Sequence, residues 1–230
     1  MEYSGNPRPM PIHIVCGHYG SGKTNIALNL AVSLRQAGRT VTVIDLDIIN
    51  PYFRLADGID ILERFGIDHV APTYANTNVD IPALSPRVAG LLEDSGDTLI
   101  VDVGGDDTGA AALGGFAQTL TRRGYEMLLV VNPFRPFTET AADAAGVAAD
   151  IELAARLKFT GIAANPNLGR ETTVETICGA KPFFDGLSER LHLPVCMTAV
   201  RKDLVSAVSG AVSGPVLPLE ILQKPGWDIF

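Results

Sequence analysis

The chain has 230 residues and a formal net charge of −8 at neutral pH, with 47% hydrophobic and 19% charged residues. A single core of that size buries roughly 70–75% of the surface an unfolded chain exposes, so neither disulfides nor a structural metal is required to hold it. The apolar balance excludes a disordered acidic chain, and a pI near 4.9 argues against a broad electrostatic grip on nucleic acid or anionic lipid.

Along the chain, short apolar runs alternate with stretches of helical spacing, the pattern of a parallel sheet covered by helices on both faces. A Pro-rich lead-in without a basic and apolar leader pattern precedes a strand over 12–16. Ile26, Leu30 and Leu34 then form an i, i+4, i+8 stripe flanked by Ala27 and Ala31, which predicts a helix stopped by Gly38. A second strand is expected over 40–45. The segment 48–97 is long and irregular, carries Pro51, Pro72, Pro82 and Pro86, and offers only short helical pieces around 56–65 and 86–93. Such a segment is either a functional loop or a surface excursion. Further strands are expected over 98–103, 127–131, 160–164 and 194–198. Between them lie helices over 110–123, interrupted by Gly114 and Gly115, over the Ala-rich 138–157, and over 172–191. The tail from 205 holds Pro215, Pro218, Pro225 and Trp227 without basic amphipathic spacing, so it reads as packing and not as a membrane anchor. With no repeat or linker, residues 1–230 are expected to form one domain in the cytoplasm. Cys16, Cys178 and Cys196 lie far apart and outside any CxxC spacing, so they read as buried small hydrophobes and not as metal ligands.

Three motifs carry chemistry. The first, Gly17-His18-Tyr19-Gly20-Ser21-Gly22-Lys23-Thr24, matches G-x-x-x-x-G-K-[ST] and falls between a strand and a helix, the setting a phosphate-binding loop needs. Its glycines let backbone N–H groups wrap a polyphosphate at a helix N-terminus. Lys23 would reach the β- and γ-phosphates, Thr24 would give its hydroxyl to Mg²⁺, and Asn25 closes the set of loop contacts. The second motif is Asp45-Leu46-Asp47, where period-two geometry puts both carboxylates on one side at the C-terminal end of a strand, the ligand edge of an open α/β sheet. Two carboxylates there can hold the hydration shell of Mg²⁺ or orient an attacking water. The third is an apolar strand ending Asp102-Val103-Gly104-Gly105, the form of a Walker B strand, with Asp102 reaching Mg²⁺ through water and Gly105 letting backbone approach the γ-phosphate.

In this order and spacing, GHYGSGKT, VTVIDLDIINP and LIVDVGGD resemble the MinD/ParA group of P-loop ATPases, the SIMIBI class with the CobQ/CobB/MinD/ParA nucleotide-binding domain, over roughly 12–200. The resemblance implies a three-layer P-loop NTPase fold with a mostly parallel sheet. It also implies a switch I after Asp45, a switch II after Asp102, Asp47 as the water-positioning carboxylate and Asp45 beside Mg²⁺. Asn165 falls where the group places an Asn against the adenine ring, and the absence of a guanine-reading N-K-x-D favours ATP. One departure is His18, where the group usually carries a Lys that crosses a dimer to the partner's nucleotide. A neutral imidazole cannot supply that fixed charge. Arg54 or Arg135 is then a candidate to supply it in trans, unless hydrolysis does not depend on a sandwich dimer.

The implied protein is a Mg²⁺-dependent switch that binds ATP, hydrolyses it slowly to ADP, pairs as a nucleotide-dependent homodimer and answers to an unidentified protein partner. Three other readings use the same fold. A small-molecule kinase or ligase would make 48–97 an acceptor pocket, an adaptor would hold nucleotide without turnover, and a metal-loading ATPase is disfavoured by the lack of paired cysteines.

Overall fold

The computed structural model describes residues 12–46, 56–70, 86–105, 107–208 and 210–220. Among these residues eight parallel strands form one sheet in the order β3-β2-β4-β1-β5-β6-β7-β8, where β1 is Ile12–Cys16, β2 Val41–Leu46, β3 Asp68–Val70, β4 Thr98–Val103, β5 Glu126–Val131, β6 Gly161–Ala164, β7 Val195–Arg201 and β8 Val216–Leu219. The six expected strands are all present, with ends shifted by at most a few residues. Both edge strands are additions. β3 has three residues, two of them polar, and arises inside the segment expected to be irregular. β8 contains Pro218, which removes a ladder donor and is tolerated at a sheet edge.

Helices cover both faces. One face carries α1, Lys23–Gln36, and α2, Ala56–Arg64, with Val15, Val43, Ile100, Leu128 and Val130 of the strands packed against Ile26, Leu30 and Leu62. Against the other lie α3 (Pro86–Glu93), α4 (Asp107–Gly114), α5 (Ala117–Arg123), α6 (Ala141–Ala155) and α8 (Lys181–Leu191). The short α7, Val174–Gly179, and α9, Val205–Val208, bury Ile177 and Val208 with Val200 of β7. Alternate residues of each central strand thus enter opposite cores, which is why these strands read as unbroken apolar runs.

Local signals set the helix ends. α1 stops in a Schellman arrangement, with Arg39 N–H donating to the Leu34 carbonyl at 3.1 Å, Gly38 N–H to Arg35 at 3.0 Å, and Gly38 at φ +86°. The Thr140 hydroxyl caps α6 by accepting from Asp143 N–H at 3.1 Å. Two expected helices are each split: 110–123 around Phe116 and 172–191 at Ala180, where Pro182 enters the first turn of α8. Arg123 closes the far end of α3 by donating to the carbonyls of Leu91, Leu92 and Ser95 at 2.8–2.9 Å. Asn29, buried in mid-α1, accepts from Glu220 N–H at 2.9 Å and ties the end of β8 to α1. Among the described residues no helix is long and apolar enough to cross a membrane.

Candidate functional site at the C-terminal edge of the sheet

β1 runs buried to Cys16, and the chain then turns through Gly17 into α1. Burial pushes the Cys16 thiol well above its ordinary range, outweighing the nearby Lys23 charge, so it stays protonated beneath the loop and is no nucleophile. Gly22 occupies the N-cap of α1 at φ +94° with no side-chain cap, which leaves the first-turn amides of a 14-residue helix facing the loop. A β-carbon at Gly22 would collide with the Asn165 amide. Lys23 is 2% exposed, and its ammonium donates to the His18 carbonyl at 3.2 Å, the same oxygen that accepts Ser21 N–H at 3.2 Å. Burial of a lysine ammonium inside a loop that presents amides is the arrangement of a site built for an anion. Thr24 is buried at the start of α1, and the Asn25 carbonyl accepts from the Asn29 side chain at 2.7 Å.

Neighbouring strands bring their loops to the same place. Asp45 and Asp102 are register partners on β2 and β4, both buried, and their positions alternate with residues of the opposite core, so they share the α1 face of the sheet. Gly105, after β4, approaches so closely that a β-carbon would lie 2.7 Å from Tyr19 backbone and 2.9 Å from the Lys23 ammonium nitrogen. From the end of β6, the Asn165 amide donates to the Ser21 carbonyl at 2.6 Å, while its Oδ1 and the Ser21 hydroxyl are buried without a hydrogen bond among the described residues. Tyr19 is exposed, and the half-buried His18 ring lies 5.2 Å from the ring of Phe137 in the loop after β5.

The structure therefore brings together Gly17, His18, Tyr19, Gly20, Ser21, Gly22, Lys23, Thr24, Asn25, Asp45, Asp102, Gly105 and Asn165 at one edge. Asp47 and Arg54 lie outside the described residues. Arg135 lies over Gly20, its Cδ and Nε within 3.9 Å of where a β-carbon would stand. Sequence reasoning missed the Asn165 brace on Ser21 and the Phe137 contact with His18. The available signal for the latter was Pro136 before Phe137, a turn-forming pair directly ahead of a helix.

A parallel sheet whose first loop is a buried-lysine phosphate cradle defines a P-loop nucleotide-binding protein. Residues 12–165 match the CobQ/CobB/MinD/ParA nucleotide binding domain, and the chain belongs to that family. It is 29% identical over 156 residues to the antiactivator FleN of Pseudomonas aeruginosa, covering 57% of this chain and 54% of that protein. In fold it is similar to the cell division protein FtsY of Thermotoga maritima (TM-score 0.55, 22% identity, 85% of this chain and 63% of that one). It is also similar to the FtsY signal recognition particle receptor of Elizabethkingia anophelis in complex with GDP (TM-score 0.51, 20% identity, 85% and 58%). The chain thus spans about half the length of the curated relative and about three fifths of these solved chains.

Proposed function

We propose that the chain is a single nucleotide-binding domain that acts as a Mg²⁺-dependent ATP switch, hydrolysing ATP slowly and changing partners between its ATP and ADP states. The observation that carries this reading is the convergence of buried Lys23, the uncapped amides of α1 and the register-paired Asp45 and Asp102 on one face of one sheet edge. Two neighbouring buried carboxylates suit a hard dication that takes oxygen ligands, so the donor set fits Mg²⁺, with the Thr24 hydroxyl as the third oxygen. Mg²⁺ bound there would neutralise charge on the β- and γ-phosphates.

In this proposal the P-loop amides and Lys23 hold the phosphates, Gly105 reports the γ-phosphate to the segment after β4, and Asp47 orients the attacking water. Asn165 braces Ser21 at the same edge, where the family resemblance puts an Asn against the adenine ring. Homodimerisation in the ATP state and recognition by a protein partner extend the reading, in keeping with the resemblance to a protein called an antiactivator.

Lys23→Ala is expected to weaken Mg-ATP binding at least about a hundredfold in a calorimetric titration, the loss of a buried charge-assisted contact. Equal affinity in the variant would remove the P-loop assignment. Light scattering of Asp47→Ala in Mg-ATP and in Mg-ADP tests the switch: a dimer with ATP alone supports it, and one mass in both states would replace it with a kinase or a structural nucleotide.

A further inference from the structure

The loop between β5 and α6 is built as two consecutive turns. Arg135 N–H donates to the Asn132 carbonyl and Thr138 N–H to the Arg135 carbonyl, each at 3.2 Å. Both ends are pinned. The Asn132 side chain accepts from Phe134 N–H at 3.1 Å and donates to the Asn167 carbonyl at 2.8 Å, while the buried Thr138 hydroxyl donates to the Asn132 carbonyl at 2.7 Å. In the second turn Pro136 takes the second position and Phe137 the third, at φ +66°, the place a type II turn gives to glycine.

Among the described residues only Arg156 and His192 are other non-glycine residues at positive φ, and each ends a helix, where the left-handed conformation is ordinary. Phe137 ends no helix. A phenylalanine held in this conformation is strained, and strain that persists points to a use. The residue is 69% exposed and its ring meets the His18 ring at 5.2 Å, tilted by 42°, so what the strained turn gains is a contact with the phosphate-binding loop.

Two residues earlier, the exposed Arg135 stands over the same loop. Its Cδ and Nε pass within 3.9 Å of the β-carbon position of Gly20, itself at φ +75° in the middle of the P-loop. Among the described residues the guanidinium has no hydrogen bond or ion pair. A cation held over an anion-binding loop, with its own hydrogen-bond donors uncommitted, suits a ligand phosphate.

We propose that Arg135 is a phosphate-contacting residue supplied in cis to the nucleotide on its own P-loop, with Phe137, through His18, as its positioning residue. The inference rests on the P-loop reading above and supplies within one chain the charge that His18 does not.

The test titrates the full chain with Mg-ATP and, separately, with inorganic tripolyphosphate, alongside a thermal melt. Arg135→Ala is expected to weaken both probes by about tenfold, since the contact is to phosphate and not to the base. Arg135→Lys should recover part of the loss, because an ammonium keeps the charge without the fork. Phe137→Gly should weaken both probes while melting at or above the wild-type temperature, a split that a merely structural phenylalanine would not give. Unchanged affinity in Arg135→Ala, with wild type binding both probes, overturns the inference and leaves the P-loop reading intact. Arg135→Ala turnover below wild type that added Lys23→Ala chains restore also overturns it, because the arginine would then act across a dimer. A wild type that binds neither probe removes the P-loop reading itself.

Discussion

The α1 face of the sheet carries two register-paired polar couples at opposite ends of its strands. At the C-terminal end Asp45 of β2 stands beside Asp102 of β4, and at the N-terminal end His13 of β1 stands beside Glu126 of β5. The second couple is complementary: the His13 Nδ1 and Glu126 Oε2 are 2.7 Å apart, with side chains 3% and 15% exposed. The imidazole Nδ1 and the carboxylate pair within the chain, while His13 Nε2 is buried without a hydrogen bond among the described residues. Two carboxylates lack that complementarity, and they stand at the end of the strands that carries the phosphate loop and buried Lys23. The same sheet therefore pairs unlike groups at one end and gathers like ones at the other.

Breaking each couple should have opposite consequences. Asp102→Asn is expected to lower ATP turnover about a hundredfold, the size seen when a group that organises transition-state charge is removed, while its melting temperature changes little because the amide keeps the shape of the carboxylate. Steady-state turnover and a melt on the same sample check this. Wild-type turnover would take Asp102 out of the site, and a strongly lowered melting temperature would make the acidic couple structural. Glu126→Ala should do the reverse. It leaves a buried imidazole without its partner at a cost of about 2 kcal/mol, or about 4–8 °C in melting temperature for a chain of this size. Mg-ATP affinity should change by less than about twofold, since the couple lies at the other end of the strands; a larger change would mean that the two ends communicate.

Much of the Asp45–Asp102 end was legible in the sequence, and almost none of the His13–Glu126 end. The glycines and lysine of 17–24 have to be adjacent in sequence, because a phosphate-wrapping loop is a local object, and Asp45 and Asp102 end apolar runs whose burial forces the strand reading. His13 sits inside an apolar run with nothing beside it to announce Glu126, which is 113 residues away and becomes a neighbour only when β5 pairs with β1. The edge strands escaped for a different reason. β3 and β8 are anchored on one side only, so Asp68, His69 and Pro218 are tolerated there and erase the apolar signal. Inside 48–97 the short helical pieces were readable, and their place in the sheet was not, since α2 and α3 bury Leu62, Val88 and Leu92 against strands drawn from elsewhere in the chain. Asn165 was legible as a site residue through the family resemblance, but its bond to Ser21 spans 144 residues and is a product of the fold.

A third polar cluster, exposed where the other two are buried, sharpens the contrast at its weak end. Asp185 of α8, whose side chain is 47% exposed, accepts from the Lys181 ammonium and the Ser213 hydroxyl at 2.6 Å each, linking α8 to the turn before β8. The Lys181 hydrogen bond first, then that from Ser213, holds the carboxyl below its ordinary 3.8. A folded-state value below the unfolded one means that the ionised carboxylate contributes stability above the unfolded value and loses it as pH falls through the folded one. Asp185→Asn should therefore cost less than about 1 kcal/mol at pH 7, because water and salt screen an exposed pair, and the cost should shrink in urea titrations as pH falls below 3.8 toward the folded value. A loss that does not shrink with falling pH would make the contribution one of packing and not of charge. A loss at pH 7 as large as that of Glu126→Ala would mean that burial does not separate the two clusters in strength.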